Sequence, residues 1–182
     1  AVPDGMVYVG DHDQSVRALS AADGSEQWTT GVGDDVSGSP AVVGGSVYVG
    51  TDGGDVVALS TADGSEQWRY EMGGPVHSSP AVDSGAVYVG SDQGEVVALS
   101  ASNGDRQWAF GTGDAVRSSP SVVSGNVYVG SNDNTLYILS TSDGAVQWEL
   151  STNGPVATAP AVVDNVVFVA SGDSNVYGLT AP

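Results

Sequence analysis

The side chains best placed to contact a ligand occupy one position of a 40-residue repeat, and that position changes identity from copy to copy. It holds Ser37, His77, Arg117 and Ala157. If it faces the axis of the fold, a histidine and an arginine here could bind an anionic group in an otherwise acidic chain. The alternative is that both pair with nearby carboxylates such as Asp114, because surface ion pairs are common. We therefore treat Ser37, His77 and Arg117 as candidate ligand contacts and keep both interpretations.

Other reactive constellations are missing from the sequence. Its only histidines, His12 and His77, fall in different classes of loop, and it has no cysteine. A Ser/His/Asp triad, a thiol nucleophile, a disulfide and a thiolate metal site are therefore not predicted. The Asp-rich turns lack the spaced ligand set, ending in a bidentate carboxylate, that a calcium loop needs. These turns are Asp11–Asp13, Asp52–Asp55 and Asn132–Asn134. We expect no catalytic residue and no metal site.

The charge balance is extreme and excludes several classes of partner. The chain has 22 acidic residues against four arginines and no lysine, giving a net charge of −18. Such a surface repels phosphate backbones and anionic lipids, so a nucleic-acid partner is not expected. No apolar run approaches the roughly 20 residues that span a bilayer, so membrane insertion is not expected either.

Three explanations compete for this acidity: disorder, cation binding and adaptation to molar salt. The strict strand pattern argues against disorder, and the acids are scattered one or two per turn rather than clustered. We favour salt adaptation, and with it an extracellular or cell-surface protein of a halophilic archaeon.

Internal repetition organises the whole chain. Its markers recur every 40 residues without an insertion, and they are Trp28, Trp68, Trp108 and Trp148; Pro40, Pro80, Pro120 and Pro160; and Tyr8, Tyr48, Tyr88, Tyr128 and Phe168. One domain, 1–182, is therefore divided into repeats at about 1–35, 36–75, 76–115 and 116–155, followed by a half repeat at 156–182.

Each repeat predicts four short strands separated by turns. In the second repeat they are expected at 36–43, 46–50, 56–60 and 67–72. The middle two are nearly continuous apolar runs, which indicates burial on both faces. Strand one carries small residues and a proline, which suit an edge strand beside a crowded axis. We predict an all-β protein, a β-propeller of four-stranded antiparallel blades built from four and a half 40-residue repeats.

The stretch VVALSTADGSEQW, residues 56–68, resembles the tryptophan-docking motif of the pyrroloquinoline-quinone (PQQ) repeat family. In that motif an alanine ends the third strand, Asp-Gly or Thr-Gly forms the turn and a tryptophan begins the fourth strand. Three copies match it, the third with Asn103 in place of the aspartate, and the fourth has Ile138 where alanine is expected. The matching residues are Ala18, Asp23–Gly24 and Trp28; Ala58, Asp63–Gly64 and Trp68; Ala98, Asn103–Gly104 and Trp108; and Asp143–Gly144 and Trp148.

The resemblance implies a propeller but leaves the activity open. Quinone-dependent dehydrogenases of this family hold their cofactor with a vicinal cysteine pair, a calcium site and long inserts, and this chain has neither cysteine nor insert. We therefore expect no PQQ and no other cofactor. The favoured function is a non-catalytic repeat module that binds or scaffolds a protein or ligand. The alternatives are a part of a PQQ-dependent dehydrogenase, and a structural repeat protein with no specific ligand.

Variation among the repeats is concentrated on one expected face. The loops between strands two and three read DHDQS, TDGGD, SDQGE, SNDNT and SGDSN, whereas the turns between strands three and four hardly change. Since loops on a rigid frame carry function, this face is expected to bind a protein or small ligand.

Closure of the ring has three possible solutions. The last strand one could complete the first blade, two chains could build a ring of about eight blades, or the chain could belong to a longer protein. An open arc would expose apolar sheet faces and unpaired edges. We expect a homo-oligomer, a dimer that completes the ring.

Overall fold

The computed structural model describes residues 5–164 and 166–180. Over these ranges it contains eighteen β-strands, arranged in five antiparallel sheets, and no helix. Sheet 1 has β1 (Met6–Gly10), β2 (Ser15–Ser20) and β3 (Glu26–Gly31). Sheet 2 has β4 (Ala41–Val43), β5 (Ser46–Gly50), β6 (Asp55–Ser60) and β7 (Glu66–Glu71). Sheet 3 has β8 (Ala81–Asp83), β9 (Ala86–Gly90), β10 (Glu95–Ser100) and β11 (Arg106–Gly111). Sheet 4 has β12 (Ser121–Val123), β13 (Asn126–Gly130), β14 (Thr135–Ser140) and β15 (Val146–Ser151). Sheet 5 has β16 (Ala161–Val163), β17 (Val166–Ala170) and β18 (Val176–Thr180).

The sheets are blades of a propeller. Sheets 2, 3 and 4 each place their four strands in sequence order, and the first strands of neighbouring blades, β4, β8, β12 and β16, contact one another. These short strands therefore line the axis, and the longer strands fan outwards. The predicted fold, an all-β propeller of four-stranded antiparallel blades, is confirmed.

Strand one is shorter than the sequence suggested. A strand was expected over 36–43, whereas β4 covers only Ala41–Val43. Pro40 stands just before the strand rather than within its edge, because proline has no N–H to contribute to a ladder. The amide of Ser39 instead donates to the hydroxyl of Ser79 in the next blade (2.8 Å). The residues between linker and strand thus join blades to one another.

Apolar side chains from neighbouring blades form the core. One face of sheet 2, carrying Tyr48, Val56 and Ala58, packs against Val87 and Val97 of sheet 3. Because each internal blade is covered on both faces, its middle strands are apolar at successive positions, as the sequence indicated.

Each docked tryptophan joins one blade to the turn of the next. The indole Nε1 of Trp28 donates to the carbonyl oxygen of Thr61 (3.0 Å), and those of Trp68 and Trp108 repeat this bond with Ala101 and Thr141. A Cβ added at Gly64 would lie only 2.6 Å from the ring of Trp28, so the ring packs at this distance only against a glycine. The Asp-Gly turn and the tryptophan therefore form one joint between blades.

The two end sheets leave the arc open. β16 pairs with β17 in sheet 5, so within the described residues it does not complete sheet 1, and that route to a closed ring is wrong for this structure. Phe168 is 45% exposed on the outer face of sheet 5, whereas Tyr128 at the same position of sheet 4 is 3% exposed. An apolar face therefore remains uncovered.

Candidate functional site

The candidate ligand contacts lie on the face formed by the loops between strands two and three. Ser37, His77 and Arg117 each precede the first strand of a blade, and each contacts the aspartate at the second position of one of these loops. We call Ser37, Asp52, His77, Asp92 and Arg117 the mouth cluster. Its members come from sheets 2, 3 and 4, so the cluster crosses two blade boundaries beside the axis.

Arg117 holds the carboxylate of Asp92 with two nitrogens. Nε lies 3.1 Å from Oδ1 and Nη2 lies 2.7 Å from Oδ2, which is the bidentate geometry that favours arginine over lysine. The hydrogen bond from Arg117 is the main reason why the pKa of Asp92 lies below its usual value, and Asp92 in turn raises the pKa of Arg117. The arginine is half exposed, so part of its guanidinium remains available to solvent or a partner.

His77 stands between two carboxylates from different blades. Its Nε2 lies 3.6 Å from Oδ1 of Asp52, and its Nδ1 lies 3.1 Å from Oδ1 of Asp92. The buried Nδ1 is close to Asp92 but is not aligned for a hydrogen bond, so this ring nitrogen is unsatisfied. His77 is therefore held between the two aspartates by position, with no hydrogen bond from its Nδ1.

The chain of contacts ends at Ser37, whose hydroxyl donates to Oδ1 of Asp52 (2.8 Å). The structure therefore brings all three candidate residues into one cluster. The carboxylate that pairs with Arg117 is Asp92, however, and not Asp114, which acts on it only through its charge. Asp92 follows β9 of sheet 3, whereas Arg117 precedes β12 of sheet 4, and their separation of 25 residues in sequence does not reveal that they are in contact.

Sequence reasoning missed Asp52 and Asp92 as members of the site. The signal that could have found them is their spacing of 40 residues, at a position held by His12, Asn132 and Gly172 in the other blades. His12 is exposed, and its Nδ1 lies 3.5 Å from Oδ2 of Asp35.

Serine hydroxyls beneath the cluster fix its backbone. Ser78 and Ser118 are fully buried, and each hydroxyl both accepts from and donates to the main chain of a glycine, Gly90 or Gly130, at 2.7–2.9 Å. These residues directly follow His77 and Arg117. The cluster therefore stands on a rigid frame although its own side chains are partly exposed.

The opposite face, which carries the turns between strands three and four, is constrained by local chemistry. Asp63 accepts from the hydroxyl and amide of Ser65, and these bonds hold the pKa of its carboxyl below the usual value. Asp23 makes the same pair of bonds with Ser25. Turn bonding and tryptophan docking together explain why these turns hardly vary.

A groove of about 1020 Å³ opens on this turn face between sheets 2 and 3. Its walls include Val43, Tyr48 and Val82. The hydroxyl of Tyr48 donates to the carbonyl of Ala101, so this polar group is already paired within the protein.

The residues present do not fit the quinone site that the family resemblance implies. Across residues 5–164 and 166–180, no group of three or more His, Asp or Glu side chains is arranged to hold a metal ion. The sequence also lacks the cysteines of that site. We derive no chemistry through PQQ.

In the same ranges the structure has no helix that could serve as a membrane span.

Comparison with protein families identifies the class to which this propeller belongs. The family model described as outer membrane protein assembly factor BamB matches residues 12–123 and 94–182. The chain therefore belongs to this PQQ-repeat propeller family. A search of curated proteins found no match.

Solved structures share the fold at low sequence identity. The chain is similar to BamB from Moraxella catarrhalis (TM-score 0.89, 20% identity), covering 99% of this chain and 60% of that one. It is also similar to the computationally designed Ika8 protein (TM-score 0.90, 18% identity), covering 99% and 57%. Quinohemoprotein alcohol dehydrogenase from Comamonas testosteroni matches with a TM-score of 0.84 at 19% identity, covering 99% and 40%. The chain thus spans about 60% of the length of the first of these structures, and at such identities the likeness shows the fold alone.

Proposed function

We propose that this chain is a non-catalytic propeller module that binds a protein segment across the mouth cluster. The observation that carries the proposal is a continuous series of side-chain contacts across three blades. Asp52 contacts His77, and Asp92 contacts both His77 and Arg117, on the face whose loops vary most between repeats. Loop variation on a rigid frame is what a recognition surface requires.

The chemistry of the cluster favours a polar peptide over a simple anion. Asp92 already neutralises Arg117, and Asp52 adds a second carboxylate. A segment carrying both donors and acceptors can satisfy the free edge of the guanidinium and the outer oxygens of the carboxylates together. The name of the matching family, an outer membrane protein assembly factor, supports a protein partner in preference to a small molecule.

The setting we propose is a molar-salt environment at the surface of a halophilic archaeon. Its support is the net charge of −18 with no lysine. Salt at this concentration screens repulsion beyond about 3 Å, so binding must rest on close contacts rather than on long-range attraction.

A second copy of the chain is the partner that we propose for the apolar end of the arc. The support is the exposure of Phe168 and of Val176, which is 73% exposed, on the outer face of sheet 5. Internal blades bury the equivalent residues, Tyr128 and Leu136.

The binding proposal is tested by selecting peptides from a random display library on the immobilised chain in molar KCl. Selected peptides are then measured against Arg117→Ala and, as a control on the turn face, Asp83→Asn. We expect Arg117→Ala to weaken binding at least tenfold and Asp83→Asn to leave it within twofold. Equal binding by all three proteins, or no selectable peptide, would overturn the proposal.

A further inference from the structure

The boundary between sheets 4 and 5 lacks the side-chain contacts that join the preceding blades beside the axis. At the two boundaries before it, His77 and Arg117 each contact an aspartate of the preceding blade. The equivalent pair at the boundary of sheets 4 and 5 is Ala157 and Asn132. A methyl group has no donor for such a contact, so the mouth cluster stops here.

A second series of contacts, two residues further along the chain, stops at the same boundary. The amide of Ser39 donates to the hydroxyl of Ser79 (2.8 Å), and the amide of Ser79 donates to the hydroxyl of Ser119 (2.9 Å). The next member of the series is Ala159, which has no hydroxyl to accept from Ser119. Within residues 5–164 and 166–180, the amide of Ser119 therefore has no hydrogen-bond acceptor.

The side-chain amide of Asn132 is also unpaired. Its main-chain N–H donates to the carbonyl of Ala115 (2.8 Å), but in the described part of the chain its side chain makes no hydrogen bond. The repeat places this side chain between Arg117 and Ala157, as it places Asp92 between its own two contacts. An amide that presents both a donor and an acceptor is thus open to a partner.

Arg117 adds a further donor beside this opening. Its Nε and Nη2 hold Asp92, so the planar guanidinium directs Nη1 away from that carboxylate. The arginine side chain is 52% exposed, which leaves Nη1 accessible. We give the name axial notch to the opening bordered by Arg117, Ser119, Asn132, Ala157 and Ala159.

The axial notch lies in a boundary that is otherwise firmly built. The hydroxyl of Thr158 donates to the carbonyl of Ala170 (3.1 Å), the same bond that Ser118 makes with Gly130 one blade earlier. The hydroxyl of Ser121 also donates to the main chain of the next blade, at Pro160. The two alanines therefore open a gap between fixed walls, and the unpaired groups are held in place around it.

We propose that the axial notch holds the main chain of the bound segment. A carbonyl oxygen of that segment accepts from the amide of Ser119, and one of its peptide groups pairs with the side-chain amide of Asn132. A carboxylate is a poorer occupant, because Asp92 lies against Arg117 and the whole chain carries a charge of −18. This inference rests on the proposed function and deepens it: the notch contacts peptide groups of any sequence, whereas the mouth cluster contacts side chains.

Two variants taken from the repeat itself test the notch. Ala159→Ser supplies the hydroxyl found at Ser79 and Ser119, which would occupy the unpaired amide. Asn132→Asp supplies the carboxylate of the two preceding blades, which can only accept. Each variant should weaken a selected peptide about fivefold in molar KCl, the effect of one lost hydrogen bond, while Ala159→Ser should not lower the melting temperature. As a control, Ser79→Ala removes a hydroxyl from the boundary of sheets 2 and 3 and should leave binding within about twofold.

Hydrogen exchange provides a measurement that a purely structural role would not change. In the free protein the amide of Ser119 should exchange faster than that of Ser79, which is already bonded. Bound peptide should slow exchange at Ser119 and leave Ser79 unchanged. In Ala159→Ser the amide of Ser119 should exchange slowly with and without peptide.

Three results would overturn the inference. The first is exchange at Ser119 that bound peptide does not slow. The second is full binding by both Ala159→Ser and Asn132→Asp. The third is loss of protection at Ser119 when one acidic residue of the peptide is replaced by its amide, since the notch would then hold a carboxylate. If Arg117→Ala still weakens the same peptides, the proposed function stands without the notch, whereas a library that yields no peptide removes both.

Discussion

The indole nitrogen of Trp28 donates a 3.0 Å hydrogen bond to the carbonyl of Thr61, a residue of the next blade. The same bond joins blades 2 and 3 and blades 3 and 4. Adjacent blades are thus joined on the turn face by tryptophan hydrogen bonds and on the loop face by contacts of the mouth cluster. The tryptophan bond is the same at each of these boundaries, whereas the contacts of the mouth cluster differ from one boundary to the next.

Tryptophan docking predicts that Gly64→Ala is far more costly than Gly24→Ala. Both glycines have positive φ, at +72° and +73°, so both substitutions strain the backbone by about 1 kcal/mol. Only at Gly64 would the new Cβ meet the ring of Trp28, at 2.6 Å, while at Gly24 it meets nothing within 4 Å. Overpacking should raise the total cost at Gly64 to about 2–4 kcal/mol. Denaturant unfolding in molar KCl measures both, and equal losses of stability would contradict the docking account.

The Arg117–Asp92 pair predicts a pH-dependent contribution to stability. Since the folded state holds the pKa of Asp92 below its unfolded value, the pair stabilises the fold above that unfolded value, about 3.9, and the contribution is lost as the pH falls through the folded pKa. Asp92→Asn should therefore cost about 1 kcal/mol at neutral pH, and the difference from the unmodified protein should shrink below about pH 4.

Asp114→Asn is the matched control for that measurement. Asp114 influences Arg117 only through its charge, and its Oδ1 accepts from the amide of Ala115, a bond that asparagine retains. Thermal unfolding across pH should show a smaller change for this variant. A larger loss for Asp114→Asn than for Asp92→Asn would mean that the partner of Arg117 has been wrongly assigned.

The acidic surface predicts loss of structure at low salt. At 1 M salt the screening length is about 3 Å, whereas at 0.01 M it is about 30 Å and the 22 acidic side chains repel one another across the molecule. Dialysis from molar KCl into dilute buffer should lower the melting temperature and loosen the fold, followed by circular dichroism. An unchanged spectrum and melting temperature would contradict adaptation to high salt.

The strands were predictable from sequence where local pattern decides them. The apolar runs of β5 and β6 lie within one residue of their predicted limits, because burial on both faces dictates their composition. The first strand of each blade was predicted too long. Its approach, including Ser39, bonds to the next blade rather than to its own sheet, and the pattern of side chains within one repeat does not distinguish a bond between blades from a bond within a sheet.

The mouth cluster was predictable only in part for a related reason. The changing identity at the position of Ser37, His77 and Arg117 was visible in the aligned repeats. The 40-residue spacing of Asp52 and Asp92 was visible as well, but their contacts with His77 and Arg117 were not, because these contacts cross a blade boundary and the distance between loops is set by the packing of whole blades.

The most direct test of the binding account is to map a selected peptide onto the chain by amide chemical shifts in molar KCl. The account predicts that the largest shifts fall on the amides of His77, Asp92 and Arg117 and on the loops between strands two and three. Shifts confined to the turns between strands three and four, or to the groove beside Tyr48, would contradict it.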